Sequence, residues 1–394
     1  MYFPPDIGGS ATRAYNMAKG LFLNGCTVTV VAAFPFYPHG KIPKEYHWKP
    51  LKVEQMGKIR VIRTWMPPIK SEGFFRRILL IGVFAATALF ALPFVGKVDA
   101  VWASSWIPGL VYGRVKRRPV ALNEDDLTLE DLVDLKLVDE NSFVLRAAEG
   151  VYRFLLTKSD VVTPVSPGYV ETLTNKYRVE KSRIHMVRGG VDLTIFKPIA
   201  SEQNARKKFV VLYSGAFSFA YDFEQVFKAA KIVEGIDENI QFVVQGKGEL
   251  LGSMLSKIDE LNVKNVRIID KLLSRESVAR LLGQAHVLIL PLANFKKPYR
   301  GMSSKLYEYQ AVGKPIICCS TGLPREYIEE TCSGVVLHPG DYRSLAATVL
   351  KLKRNPGLAR KMGDNGRAYV ESEVSIEAIG ARMQEILTTI SNRA

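Results

Sequence analysis

The sequence predicts an α/β protein built from two doubly wound domains, and three observations support this prediction. The 394 residues exceed the length at which a single compact core is usual. Short β-branched runs alternate with helix-length segments, a pattern typical of a parallel sheet covered by helices. The alternation stops at a polar stretch over residues 201–208 and then restarts, which indicates a second domain.

The first half contains four apolar runs that are predicted as strands because turn residues bound each of them. A helix is expected from Asn16, ahead of the first run. The predicted strands cover residues 27–33, 59–64, 98–103 and 161–165. Only residues 1–3 precede Pro4-Pro5, so the central strand that usually opens such a domain is expected to be truncated or to lie upstream.

The second half repeats the same alternation after Pro198. Its predicted strands cover residues 209–213, 240–245, 266–269, 287–290, 315–319 and 334–337. We therefore expect an N-terminal domain over 1–197 and a C-terminal domain over 198–374. The last segment, 375–394, has helical periodicity and is expected to pack back on the first domain.

Composition excludes a disordered or fibrous protein, since 47% of the residues are hydrophobic and 24% are charged. The formal charge of +15 favours an anionic ligand or surface as partner. No helix-turn-helix spacing or aromatic-interleaved basic motif supports nucleic-acid binding. The four cysteines show neither CxxC spacing nor a Cys/His cluster, so neither a disulfide framework nor a zinc site is expected.

Residues 78–95 form an uncharged run of 18 residues flanked by Arg76-Arg77 and Lys97, at the lower limit for a spanning helix. Strands are predicted on both sides of this run, so a crossing would divide one sheet between two compartments. The first 100 residues carry 13 Lys and Arg against 5 Asp and Glu. We expect a helix lying on an anionic membrane surface, with a buried core helix as the alternative and a span least favoured.

Two segments carry groups suited to binding phosphate. Gly8-Gly9 precede a predicted helix and leave amide groups to face an anion. The segment KPYRGMSSKLYEYQAVGKPII follows the predicted strand 287–290, and its turn Gly301-Met302-Ser303-Ser304 opens a helix. Glu308, one helical turn later, is placed to accept hydrogen bonds from a ribose diol, while Arg300 and Lys305 can neutralise phosphate charge.

These segments resemble the GT-B glycosyltransferases of family 4, and most of all the subgroup similar to fucosamine-type sugar transferases of surface polysaccharides. Other segments that occur in the family's order are PPDIGGSATRAYNMAKGL, FPFYPHGKI, VSPGYVETL, RGGVDLTIFKP, VLYSGAF and FVVQGKGEL. The resemblance implies the GT-B fold, in which two Rossmann-like domains face a central cleft. It also implies transfer of a sugar from a nucleotide donor with retention of configuration, without a metal or other cofactor.

The resemblance assigns donor-binding roles to particular residues. Glu308 corresponds to the second glutamate of the family's two-glutamate motif, and the first falls at Arg300, so the usual carboxylate contact to the donor sugar is absent or comes from elsewhere. The predicted diphosphate-binding residues are Gly8, Gly9, Gly301, Met302, Ser303 and Ser304. The loop that contains Gly215 lacks the family's Arg and Lys, so Lys305, Arg300 or Lys247 supplies the charge, with Lys305 preferred.

Candidates for the acceptor side lie in the first domain. Asp125 and Asp126 belong to the acidic segment 124–140 and are candidate catalytic residues that position or deprotonate an acceptor hydroxyl; a solvated acidic helix is the alternative. His39, in the aromatic loop, is a candidate acceptor contact. Ser104 and Ser105 stand where many relatives carry a histidine, so no histidine mechanism is expected.

The predicted function is therefore that of a retaining glycosyltransferase. It would use a nucleotide sugar, with a UDP-sugar favoured, and a lipid-linked or glycan acceptor in surface polysaccharide or glycan biosynthesis. We expect it in the cytoplasm, at the inner face of the cell membrane, and without a secretory signal. A nucleotide-sugar epimerase of the same fold and a non-catalytic nucleotide-binding surface-assembly protein are the alternatives.

Overall fold

The computed structural model describes residues 1–6, 8–37, 39–70, 74–134, 138–199, 208–295 and 299–392, without the side chains of 74, 75, 77, 128, 131 and 134. The chain forms two compact units, Met1–Gly190 with Ile376–Ala394, and Val191–Ser375. The division at Gly190 comes earlier than the predicted boundary at 197/198. Phe196 is fully buried in a core of the second unit, which explains why the segment after Gly190 belongs there.

The first unit contains two three-stranded sheets. Its strands are β1 (Thr29–Ala33), β2 (Leu51–Met56), β3 (Ile59–Thr64), β4 (Val101–Ala103), β5 (Val120–Glu124) and β6 (Val161–Pro164). Its helices are α1 (Gly9–Leu23), α2 (Phe74–Phe90), α3 (Trp106–Lys116), α4 (Thr128–Asp134), α5 (Phe143–Lys158) and α6 (Pro167–Asn175). The strand orders are β1-β3-β2 and β4-β5-β6, and every pairing is parallel except that of β2 with β3.

Strand β2 was not predicted from the sequence. This strand is a half-exposed edge whose charged residues hide the apolar pattern of a buried strand. Residues 1–6 form no strand, although the backbone N–H of Ala33 donates to the carbonyl of Met1 at 3.0 Å. The start of the chain therefore lies beside β1 without the ladder of a central strand.

Two glycines let α3 lie directly on its sheet. A Cβ at Gly109 would come within 2.4 Å of Cβ of Ala103, and one at Gly113 within 2.1 Å of Cγ2 of Val120. Because larger side chains would push α3 away from β4 and β5, glycine fixes this close packing.

The hydrophobic segment 78–95 is helical up to Phe90. Leu80, Phe84 and Ala88 recur every fourth residue and are buried, whereas Ile78 and Leu79 are more than half exposed. One face of α2 is thus a core face and the opposite face is an exposed apolar face. Among the described residues, no helix combines the length and the apolar character needed to cross a bilayer.

The second unit is a single six-stranded parallel sheet covered by helices, and all six predicted strands are present. The strands are β7 (Phe209–Ser214), β8 (Ile240–Gly246), β9 (Val266–Asp270), β10 (Val287–Pro291), β11 (Ile316–Cys319) and β12 (Gly334–Leu337), in the order β12-β11-β10-β7-β8-β9. The helices are α7 (Phe223–Glu234), α8 (Leu251–Glu260), α9 (Arg275–Gly283), α10 (Ser304–Ala311), α11 (Leu323–Thr331), α12 (Tyr342–Arg354) and α13 (Pro356–Tyr369).

The last helix, α14 (Ile376–Ser391), returns to the first unit and packs on α1. A Cβ at Gly20 would lie 2.5 Å from the carbonyl oxygen of Ile376, and one at Gly380 would lie 2.2 Å from that of Gly20. Both positions require glycine because the two helix backbones touch. The sequence predicts a final helix against the first domain, and α14 occupies that place.

Candidate functional site

In the second unit, the candidate donor-binding residues lie at the carboxyl ends of neighbouring strands. Gly215 follows β7, Lys247 follows β8, and the segment 301–308 follows β10. Strand β7 pairs with both β8 and β10, so the three loops emerge side by side. Open α/β sheets bind their ligands at this edge.

Lys305 lies across Gly215. A Cβ at Gly215 would come within 2.0 Å of Cε and 2.9 Å of Nζ of Lys305, so a larger residue here would displace this side chain. Nζ of Lys305 donates to the hydroxyl of Tyr221 at 2.9 Å and lies 5.0 Å from the centre of its ring. An ammonium group therefore stands at the end of β7, where the loop itself lacks Arg and Lys.

The loops after β7 and β8 are packed by glycines. A Cβ at Gly246 would lie 1.6 Å from the carbonyl oxygen of Gly215, and one at Gly248 would lie 2.2 Å from that of Phe217. The carbonyl of Lys247 accepts from the N–H of Phe217 at 2.8 Å, and the residue itself is exposed. The Gly-x-Gly sequence around Lys247 thus has a packing function, and a charge contribution from Lys247 stays a prediction.

Helix α10 begins directly after the small-residue turn. Ser303 precedes the helix in an extended conformation, and its side chain caps no amide of the described residues. Gly301, Met302 and Ser303 are half-buried, while Arg300 and Ser304 are exposed. Because a helix N-terminus carries partial positive charge, this end of α10 suits an anion. Residues 297 and 298, at the start of the predicted segment, lie outside the described residues.

Glu308 is held by an arginine that the sequence analysis did not identify. Nη1 of Arg275, the first residue of α9, donates to Oε1 of Glu308 at 2.7 Å. The guanidinium of Arg275 also stacks on the ring of Phe196 at 4.7 Å. Arg275 thus fixes one carboxylate oxygen of Glu308, whose side chain is 16% exposed.

Two tyrosines tie these elements together. The hydroxyl of Tyr309 accepts from the N–H of Ser214 at 3.2 Å and so connects α10 with the end of β7. The hydroxyl of Tyr213 donates to the carbonyl of Ala216 at 2.7 Å. Burial raises the pKa of both phenols above the ordinary value for tyrosine.

In the first unit, the Gly8-Gly9 turn is anchored to the aromatic loop. The buried carboxylate of Asp6 accepts from the N–H groups of Phe36 and Tyr37, both at 2.9 Å. A Cβ at Gly8 would lie 3.2 Å from the ring of Tyr37, and one at Gly9 would meet no described atom within 4 Å. The acidic residue just ahead of the glycines was the available signal for this contact.

His39 is exposed and lies at a depression in the surface of the first unit. The residues around this depression are Pro35, Phe36, Tyr37, His39, Lys41 and Lys70. Lys41 and Lys70 were not among the predicted residues, and they make the surroundings of His39 basic. An acceptor contact by His39 remains a prediction.

Asp125 forms an ion pair with Arg13 of α1. Asn123 donates from Nδ2 to Asp125 at 2.8 Å and to Oγ of Ser104 at 3.1 Å, and Nη2 of Arg13 donates to Oδ1 of Asn123 at 3.2 Å. Arg13 lies one helical turn after Gly9, so this network connects the glycine turn with the end of β5. Asp126 is exposed and lies next to it.

Glu124 points into the core of the first unit. Its carboxylate accepts from Nε1 of Trp106 at 2.8 Å and from the hydroxyl of Tyr152 at 2.7 Å. Burial raises the pKa of Glu124 to about 8, in spite of these two donors, which lower it. Glu124 was not predicted as a special residue, because the adjacent Asp125 and Asp126 have the same chemistry and the sequence does not show that Glu124 alone is buried.

A metal site is not formed by the residues that the structure describes, since they contain no cluster of three His, Cys, Asp or Glu side chains able to hold an ion. That the sugar transfer itself proceeds without a metal ion stays a prediction.

Two family sequence patterns match the chain, one in each unit. Residues 8–190 match the family described as "Glycosyl transferase 4-like domain", and residues 196–369 match "Glycosyl transferases group 1". Together the matches include Gly8, Gly9, Asp125 and the donor-site candidates from Gly215 to Glu308.

Two characterised relatives are similar over part of their length. An MMP alpha-(1->4)-mannosyltransferase of Mycolicibacterium hassiacum is 26% identical over 55% of this chain and 51% of its own. A GDP-mannose-dependent monoacylated alpha-(1-6)-phosphatidylinositol monomannoside mannosyltransferase of Corynebacterium glutamicum is 24% identical over 59% of this chain and 62% of its own. The chain thus spans between half and two thirds of the length of these relatives.

Solved structures share the fold of the whole chain. The sucrose-phosphate synthase of Thermosynechococcus elongatus superposes with a TM-score of 0.73 at 17% identity, over 98% of this chain and 94% of its own. The HepE protein of Anabaena, in complex with UDP-glucose, superposes with a TM-score of 0.62 at 14% identity, over 92% of this chain and 99% of its own. These structures show the GT-B fold, and the two family matches over 8–190 and 196–369 show that the chain belongs to glycosyltransferase family 4.

Proposed function

We propose that this protein is a retaining glycosyltransferase that moves a sugar from a nucleotide sugar, preferably a UDP-sugar, to a lipid-linked acceptor. It would act in surface polysaccharide or glycan biosynthesis, in the cytoplasm at the inner face of the cell membrane. The use of a nucleotide-sugar donor is supported mainly by the position of Lys305 over Gly215. Lys305 lies on the same helix, α10, as Glu308.

The groups of the second unit fit two parts of a nucleoside diphosphate, the diphosphate and the ribose. The N-terminus of α10 and the ammonium of Lys305 suit the diphosphate, and both would stabilise the negative charge that develops as this group departs. The carboxylate of Glu308, held by Arg275 through Oε1, has lone pairs left to accept hydrogen bonds from ribose hydroxyls. HepE, of the same fold, binds UDP-glucose, which agrees with UDP as the nucleotide.

The proposal of a lipid-linked acceptor is based on residues of the first unit. The exposed apolar face of α2 carries Ile78 and Leu79 beside the basic residue Arg76, a combination suited to an anionic bilayer. One relative acts on a phosphatidylinositol mannoside, an acceptor that resides in a membrane. Asp125 and Asp126 are the candidate groups for orienting or deprotonating the acceptor hydroxyl.

Nucleotide binding is the direct test of the proposed nucleotide-sugar donor. A ligand that binds the folded state raises the melting temperature by mass action, so UDP, GDP and uridine are compared at equal concentration. We expect the largest rise with UDP, and loss of this rise in Glu308→Ala but not in Glu330→Ala, an exposed glutamate of α11. An unchanged rise in Glu308→Ala would remove the donor-site assignment.

Product analysis tests the reaction itself. Incubation of the UDP-sugar with a lipid-linked acceptor in vesicles should yield UDP and glycosylated lipid with the anomeric configuration of the donor. A new nucleotide sugar formed from the donor alone would indicate an epimerase. Nucleotide binding without turnover on any acceptor would indicate a non-catalytic protein.

A further inference from the structure

Helices α2, α3 and α5 form one layer on the first unit. Strands β4, β5 and β6 follow one another across their sheet, and parallel crossovers are almost always right-handed, so α3 and α5 lie on the same face. Helix α2 packs beside α3, and the hydroxyl of Tyr112 in α3 donates to the carbonyl of Ala88 in α2 at 2.7 Å. The outer surface of this layer is therefore continuous from α2 to α5.

Helix α5 is apolar on two opposite sides. Leu145, Tyr152 and Leu156 are buried against the sheet. Phe143 and Phe154, which are 84% and 58% exposed, lie about 180° away from them at about 100° per residue. Val144 and Val151 widen this outer apolar stripe, and both are more than half exposed. These exposed side chains do not stabilise the core, and a contiguous exposed apolar patch of this kind is typical of an interaction surface.

The same layer has a strong excess of positive charge. The segment 76–118 carries seven Lys and Arg residues against one acidic residue, Asp99. Arg114, Arg117 and Arg118 are exposed around the C-terminal end of α3, beside the exposed Val115. In α5 the acidic residue is Glu149, whose carboxylate pairs with Lys176 at 2.6 Å.

We propose that the outer surface of α2, α3 and α5 is one membrane-docking surface for an anionic phospholipid bilayer. The stripe Phe143, Val144, Val151 and Phe154 enters the acyl region, and the arginines of α3 contact the lipid phosphates. This inference rests on the proposed membrane location, and it assigns α5 and α3 to the contact in addition to α2. A second copy of the chain is a poor occupant, because a two-fold interface would oppose the arginines of both copies.

Vesicle binding tests the contribution of α5. The full-length protein is co-sedimented with vesicles of phosphatidylcholine and phosphatidylglycerol at a ratio of about 7:3. We expect the double variant F143S/F154S to lower the partition coefficient about tenfold, as buried aromatic area is lost. The matched control I236S/L255S removes two exposed apolar residues of the second unit and should stay within about twofold of the unmodified protein.

Charge is tested separately. The variant R114Q/R118Q should lose most of the difference between anionic and pure phosphatidylcholine vesicles, and added salt should have a similar effect on the unmodified protein. Melting temperature and its rise with UDP are measured for each variant, so that a folding defect is recognised.

The outcomes separate this inference from the proposed function. Full vesicle binding by F143S/F154S would overturn the assignment of α5 and leave the membrane location standing. A second result would be that the unmodified protein binds no vesicle although UDP still raises its melting temperature. That result would exclude the membrane contact and leave the donor-site assignment standing. A dimer in light scattering that F143S/F154S dissociates would show that a second copy covers the stripe, against our inference.

Discussion

The guanidinium of Arg275 fixes the carboxylate of Glu308, with Nη1 and Oε1 2.7 Å apart. Arg275 begins α9 and Glu308 lies in the second turn of α10, so the contact joins two helices of the second unit. The ring of Phe196 supports the other side of the guanidinium. Arg275 is therefore a positioning residue for the predicted ribose contact.

Replacement of Arg275 by glutamine should weaken UDP binding about tenfold, because Glu308 loses a charge-assisted hydrogen bond and can rotate. The loss should be smaller for 2′-deoxy-UDP, which lacks one of the hydroxyls that Glu308 would bind. The measurement is the ratio of the two dissociation constants by calorimetry. Arg280→Gln, on an exposed site of the same helix, is the control and should leave the ratio unchanged. An equal loss for both nucleotides would argue against a ribose contact.

Alanine at Gly215 should displace Lys305, because its Cβ would lie 2.0 Å from Cε of that lysine. We expect kcat to fall about 10- to 100-fold, since the cation no longer stands where charge develops on the leaving group. Gly252→Ala in α8 is the matched control, as a Cβ there meets no described atom within 4 Å. Initial rates of UDP release provide the measurement, and an unaltered kcat in Gly215→Ala would exclude this role of Lys305.

Asparagine at Asp125 should destabilise the protein by about 1–3 kcal/mol, because the half-buried Arg13 loses its ion-pair partner. The same change at Asp126, an exposed residue, should stay within about 0.5 kcal/mol. Urea unfolding of the two variants gives the comparison. Donor binding should survive in Asp125→Asn and be lost in Glu308→Ala; the reverse order would contradict the division of roles between the two units.

Glu124 should make stability depend on pH. Burial raises its pKa from 4.5 to about 8, so the folded state holds the proton more tightly than the unfolded state. Its contribution to stability is complete below about pH 4.5 and is lost as the pH rises through about 8. Glutamine resembles the protonated carboxyl, so the melting temperature of Glu124→Gln relative to the unmodified protein should increase between pH 5 and pH 8.5. A difference that does not vary with pH would show that Glu124 is ionised throughout.

Local sequence patterns predicted the helices and strands whose formation depends mainly on residues nearby in the sequence. The six strands of the second unit were predicted because buried parallel strands read as continuous β-branched runs between turn residues. The edge strand β2 was missed because its residues are half exposed and partly charged. The helix over 78–95 was expected; one of its faces is buried in the core, and the opposite face is exposed and apolar.

Candidate residues of the second unit were predicted where a motif carries them, as in the segment 301–308. Arg275 was not predicted, since no local pattern connects it with Glu308, 33 residues away. The same holds for Arg13, which meets Asp125 from a distance of 112 residues.

The burial of Glu124 could not be predicted from its neighbours either. Glu124, Asp125 and Asp126 are three consecutive carboxyl groups and look alike in the sequence. Glu124 is the last residue of β5 and is buried, whereas Asp125 and Asp126 follow the strand and are more exposed. Which of the three is buried therefore depends on where β5 ends and on the packing of Trp106 and Tyr152 around its last residue.

The sequence by itself determined the two-domain α/β architecture, the turn that opens α10 and the chemistry of the residues around it, because these follow from short-range periodicity and turn preferences. Only the tertiary structure decided that Lys305 covers Gly215, that Arg275 holds Glu308, and that α5 turns an apolar stripe outward. Such contacts depend on how distant segments pack and how much water they exclude, and that information is spread over the whole chain.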